Sequence, residues 1–121
     1  MTRAALPPQY LRGIQLFNAG EYFACHEALE EIWLHAQGVE RDFLHALIQA
    51  AVALHHCQRG NYKGAASVYD RARRKLSALP PQVMRLETAV FAQTLEEFFS
   101  EALNPGVAPS SLPQIRLKAG D

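Results

Sequence analysis

Apolar residues recur at three- and four-residue steps along most of the chain, the spacing of amphipathic helices, and no stretch alternates convincingly as a strand would. Pro7 and Pro8 open a first predicted helix over about residues 7–18, with Tyr10, Leu11, Ile14 and Phe17 on its apolar stripe. After "NAG", a second helix over about 21–37 aligns Tyr22, Cys25, Leu29, Ile32, Trp33 and Ala36, and Gly38 ends it. The third, over about 39–59, contains "FLHALIQAAVALHHC", whose apolar arc is wide enough to predict a central helix contacted on several sides. Gly60-Asn61 closes it. A fourth helix covers about 62–78 before Pro80-Pro81, and a fifth about 82–102 before Asn104-Pro105-Gly106.

This layout predicts an all-α protein, an irregular bundle of about five helices built from helix hairpins. Residues 1–104 form a single helical domain, and 105–121, rich in Pro, Gly and Ser, form an irregular tail on its surface. A weak internal repeat underlies the hairpins, because "GEYFACHEALEEI" from Gly20 and "GNYKGAASVYDRA" from Gly60 share Gly, Tyr and a small residue in register. The architecture is therefore weakly tetratricopeptide-like, without the several stacked repeats of a peptide-binding superhelix.

Composition narrows the function classes. A chain of 121 residues can bury a useful core without disulfides or a structural metal. Its 12 Lys and Arg balance 12 Asp and Glu, so bulk charge attracts neither nucleic acid nor a membrane surface. Cys25 and Cys57 fall inside apolar helical patterns, which fits reduced thiols and a cytoplasmic location. The start "MTRAALPPQYL" lacks the apolar core of a signal peptide, and the weakly polar run Phe43 to Leu54 is too short to span a bilayer.

Candidate chemistry concentrates in "GEYFACHEALEEIW", where His26-Glu27 is followed by Glu30, close to the H-E-x-x-H spacing of zinc peptidases but with glutamate in the second histidine's place. At about 100° per residue, Tyr22, His26, Glu30 and Trp33 share one flank of the second helix, while Glu27 and Glu31 point further toward water. The His26/Glu30 pair can hydrogen-bond, fixing both side chains, or can ligate one divalent metal. In the first case each single replacement is expected to cost about 1–3 kcal/mol. In the second, a third ligand comes from the third helix: His55 continues the face of Leu44, Ile48 and Ala51, whereas His56 shares a polar stripe with His45 and Gln49. The cluster Arg71, Arg73, Arg74 and Lys75 reads as a solvated face near a helix C-terminus, too thin for a nucleic-acid patch.

Two blocks carry a family resemblance: "FNAGEYFACHEALEEIW" and "GVERDFLHALIQAAVALHHCQRGNYKGA". Over about residues 14–72 the chain resembles the small helical proteins of domain of unknown function 309. The first block matches through Phe17, Asn18, Gly20, Tyr22, His26, Glu27, Glu30 and Trp33. The second matches through Arg41, Leu44, Leu47, Ile48, Gln49, His55 or His56, Gly60 and Asn61, and departs with His45 and Ala46 where the family usually has Gln-Gly. The resemblance implies an all-helical fold with a shared polar cluster, and names no activity.

The leading expectation is a small cytoplasmic binding or interaction protein, its polar pocket formed where His26, Glu30, Trp33, Arg41, Gln49 and His55 converge near the junction of helices two and three. Its partner is a small molecule or a protein, not nucleic acid or membrane, and it needs no cofactor. The rival expectation is a metal-dependent hydrolase holding a divalent metal with His26, Glu30 and His55, with Glu27 as general base. Tyr69 and the Phe98-Phe99 pair can serve a helix-to-helix interface as readily as the core, which leaves a homo-oligomer open.

Overall fold

The computed structural model describes residues 5–104 and 111–119. Residues 1–4, where the N-terminal stretch begins, and residues 105–110 and 120–121 of the expected tail lie outside the described residues. Five helices dominate: α1 (Pro8–Asn18), α2 (Tyr22–Trp33), α3 (Gly38–Gln58), α4 (Tyr62–Ser77) and α5 (Thr88–Ala102). Between α4 and α5 lies a two-strand antiparallel hairpin, β1 (Gln82–Val83) and β2 (Leu86–Glu87). The fold is all-α.

Short connections at 19–21, 34–37 and 59–61 force each of the first four helices back along its predecessor, so α1 packs on α2, α2 on α3 and α3 on α4. The central α3 buries Phe43, Leu44, Ala46, Leu47, Ile48, Ala50, Ala51, Ala53 and Leu54. So wide an arc can be covered only from more than one side, as its composition predicted. Between α1 and α2 the approach is set by Gly13, where a Cβ would stand 2.5 Å from Cδ2 of Leu29. Tyr69 stacks on Phe99 at 4.3 Å between ring centroids, joining α4 to α5. Tyr69 and the Phe98-Phe99 pair thus belong to the intramolecular packing.

Two expected boundaries move, each for a tertiary reason. The second helix ends at Trp33 instead of running to 37, because the carbonyls of Trp33 and Ala36 accept hydrogen bonds from Nη1 of Arg41 at 3.0 and 3.4 Å. Arg41 is a side-chain cap reaching back from the next helix. Gly38, expected as a terminator, instead begins α3 with a left-handed φ of 62°.

The fifth helix begins at Thr88 instead of 82, because 82–87 form the hairpin. Its two-residue turn places Met84 and Arg85 at φ 49° and 64°, a left-handed conformation usually taken by Gly or Asn. Partners elsewhere hold it: the Tyr10 hydroxyl donates to the Met84 carbonyl at 3.0 Å, and the Lys118 N–H donates to the Arg85 carbonyl at 2.7 Å. Thr88 anchors the start of α5 by donating to the Pro80 carbonyl at 2.6 Å.

The described part of the tail is packed. The side chain of Asn18 brackets Ile115, donating to its carbonyl at 2.9 Å and accepting from its N–H at 2.7 Å, and Ile115 is buried against the core. Among the described residues no helix is long and apolar enough to cross a membrane.

Candidate functional site

Of the expected site residues, His26, Glu30, Trp33, Arg41 and His55 lie along one seam and do not converge, and Gln49 lies off it. Since α2 and α3 run antiparallel, the flank of α2 bearing His26, Glu30 and Trp33 meets α3 from its end back to its beginning. The cluster is therefore drawn out into two ends.

At the α2 start, the Phe23 ring packs against two imidazoles, its centroid 5.8 Å from His26 and 5.6 Å from His55. His26 Nε2 is 3.3 Å from Glu30 Oε2, and the two side chains keep 25% and 49% of their exposure. His56 is turned to the helix end, its Nδ1 at 3.2 Å from the Asn61 amide nitrogen. Glu27 lies round the helix in a recess with Gln9, Arg12 and Glu31 between α1 and α2. Among the described residues no three His, Cys, Asp or Glu side chains are grouped to hold a metal. The expected triad of His26, Glu30 and His55 is thus not assembled: both imidazoles pack against the Phe23 ring, and Glu27 does not share their face.

So exposed an i, i+4 pair should contribute little to stability. A double-mutant cycle on His26→Ala and Glu30→Ala is expected to return a coupling of about 0.3–0.5 kcal/mol, well below the 1–3 kcal/mol of a buried pair. Coupling above 1 kcal/mol in urea denaturation would show that the two are shielded from solvent.

At the other end, Arg41 lies over the Trp33 indole with its guanidinium carbon 4.3 Å from the ring centroid, and the His45 ring lies tilted against the same indole at 5.3 Å and 31°. Among the described residues the enclosed indole nitrogen of Trp33, Nδ1 of His26 and the side-chain oxygen of Gln49 have no hydrogen-bond partner. Burial, followed by the charges of Lys75 and Arg41, holds the His45 imidazole below its ordinary range, and Asp42 opposes them. Burial likewise pushes the Cys25 thiol up to about 12, so both it and Cys57, also raised, remain protonated thiols.

Gln49 faces another way. It opens on a cleft of about 490 Å³ between α3 and α4, lined also by Asp42, Arg71, Arg74, Lys75 and Leu79. Asp70 pairs with both Arg73 and Arg74. The basic cluster read as a solvated face is thus divided, with Arg73 outside the cleft and Arg71, Arg74 and Lys75 lining it. Positions 71, 74, 75 and 78 form one helical stripe, a spacing already present in the sequence.

A family profile described as "Domain of unknown function (DUF309)" matches residues 10–68. An uncharacterized protein of Aquifex aeolicus (strain VF5) is 30% identical over 67% of this chain and 25% of its own length. The uncharacterized protein YpuF of Bacillus subtilis (strain 168) is 38% identical over 60% of this chain and 42% of its own length. The chain thus spans less than half of either curated relative. The crystal structure of a conserved hypothetical protein from Thermus thermophilus aligns with a TM-score of 0.67 and 32% identity, covering 78% of this chain and 99% of that one.

Proposed function

Because this chain belongs to the family of domain of unknown function 309, and the relatives it matches carry no assigned activity, we propose a function from its geometry: a small-molecule binding module whose ligand seat is the α3–α4 cleft. The observation that carries this reading is the cleft itself, about 490 Å³, lined by the polar and charged side chains of Asp42, Gln49, Arg71, Arg74 and Lys75 together with Ala78 and Leu79. Small-molecule seats commonly fall in the range of about 300–1,000 Å³, with a few placed polar groups in an apolar surround. Gln49 links this cleft to the polar seam: Arg41, His45 and Gln49 recur at four-residue steps along α3, and the Trp33 indole lies behind the first two. The binding pocket expected between α2 and α3 is thereby moved one helix along.

A thermal-shift screen of wild type and Gln49→Ala against metabolites and divalent metals tests the reading. A ligand at 100 times its Kd stabilises the folded state by about 2.7 kcal/mol, which in a domain of this size raises Tm by several degrees. At least one metabolite should produce such a shift in wild type and a much smaller one in Gln49→Ala. If no compound stabilises wild type, or every active compound acts equally on both proteins, the cleft is not the seat. Metal analysis of untagged protein runs beside it, and stoichiometric zinc, manganese or iron would favour the hydrolase built on His26, Glu30 and His55.

A further inference from the structure

We infer that the α3–α4 cleft takes a phosphate monoester, with the phosphate held by Arg71, Arg74 and Lys75 and the organic body lying toward Leu79 and Gln49. The inference rests on the reading of this cleft as a ligand seat and adds the chemistry of the ligand.

Charge is the first argument. The cleft presents Arg71, Arg74 and Lys75 against the single carboxylate of Asp42, although the chain as a whole carries no net charge. Asp70 binds Arg73 and Arg74 together, so it orients the Arg74 guanidinium without neutralising the group. Among the described residues Arg71 donates to the Ser67 hydroxyl alone, at 3.4 Å, and neither Arg71 nor Lys75 has a carboxylate within ion-pair distance. Counting Arg71, Arg73, Arg74 and Lys75 against Asp42 and Asp70, the four cations and two carboxylates leave an excess of about two positive charges, which matches a phosphate dianion better than a carboxylate.

The arrangement also works against the helix that carries it. Like charges at three- and four-residue spacing repel, and Lys75 is half-buried, where an ammonium loses solvation. Attraction to the α4 C-terminus accounts for Arg74 and Lys75 in the last turn but not for Arg71, a full turn earlier. An oxyanion in the cleft offsets the repulsion and compensates the ammonium for its lost solvation. Lys75 is also felt by His45, whose imidazole pKa is lowered first by burial, then by Lys75 and Arg41, against Asp42.

Shape supplies the rest. Two guanidinium forks suit the oxygens of a phosphate, and a cleft of about 490 Å³ is far larger than inorganic phosphate alone needs. The remaining wall, Ala78 and Leu79 with the Gln49 amide, fits an organic body of mixed polarity.

Titration of ¹⁵N-labelled protein with inorganic phosphate, phenyl phosphate, benzyl alcohol and a short single-stranded RNA tests this. Phenyl phosphate should shift amides of residues 42–49 and 71–79, bind more tightly than inorganic phosphate, and weaken as salt is raised. Arg71→Gln with Lys75→Gln should lower its affinity at least about 100-fold, since each removes a charge-assisted contact, whereas Lys75→Arg should retain most of it. Circular dichroism melts of the variants establish that the fold persists. If benzyl alcohol occupies the cleft as well as phenyl phosphate does, the seat stands and the phosphate assignment falls. If no probe shifts the cleft, both fall. Shifts scattered over all basic residues, or tighter binding of RNA than of phenyl phosphate, would also overturn the assignment.

Discussion

Replacing Phe17 by alanine should destabilise the protein by about 3–5 kcal/mol, the usual cost of removing a fully buried aromatic ring. Phe17 is 1% exposed, and its ring meets Tyr22 edge-on at 5.3 Å and Phe91 at 5.7 Å. One side chain thereby joins α1 to α2 and to the distant α5. The void cannot close easily, because Gly13 already brings α1 against Leu29 and leaves little room for further collapse. Since domains are typically stable by only about 5–15 kcal/mol, the variant should show a markedly lower urea midpoint with an unchanged slope. A loss below 1 kcal/mol would mean that the three helices do not meet at this ring.

Trp33→Ala should cost about 3 kcal/mol, at the low end of the range for aromatic truncation because the indole is only half-buried. It removes the surface on which Arg41 and His45 rest, and with it the attraction between guanidinium and indole. The Arg41 cap on α2 should loosen in consequence, since the same side chain donates to the Trp33 and Ala36 carbonyls. Trp33→Phe keeps an aromatic face and should lose much less. A cycle combining Trp33→Ala with Arg41→Ala should give a coupling of about 0.5–1 kcal/mol, and additive effects would show that the contact between ring and guanidinium carries no energy.

Periodicity reveals which face of a helix is buried: Tyr10, Ile14 and Phe17 on α1 and the wide apolar arc of α3 are buried as their spacing predicts, whereas Leu11 at the edge of the α1 stripe stays exposed. It is less informative about where a helix stops. The α2 terminus depends on Arg41, eight residues further on and in another helix, and no local signal in "LHAQG" announces that donor. The hairpin at 82–87 was hidden for a similar reason. Met84 and Arg85 are poor residues for a left-handed turn, and the bonds that secure them come from Tyr10 and Lys118 at opposite ends of the chain. Only the complete fold supplies those partners.

The polar seam illustrates the difference between angle and height. His26 and Trp33 lie within about 20° of each other around α2, but the seven-residue step from one to the other rises about 10 Å along its axis. Reading the angle alone made a line resemble a cluster. At Glu27 the angle was decisive, since one residue of rotation separates it from His26 and turns it toward α1. The basic stripe on α4 was legible as spacing, yet its cleft depends on α3 standing opposite.

The clasp between Asn18 and Ile115 joins positions 97 residues apart, whereas the first four helices pack chiefly on their sequence neighbours. Local contacts form quickly, while a closure spanning nearly the whole chain must first overcome the entropy of a long loop. The helix hairpins therefore assemble early, and the C-terminal segment docks late onto a surface already built. In the native state the order reverses, and that segment is the first to detach. Hydrogen exchange at Ile115 should reflect this partial opening, while amides in the middle of α3 wait for the whole molecule to unfold.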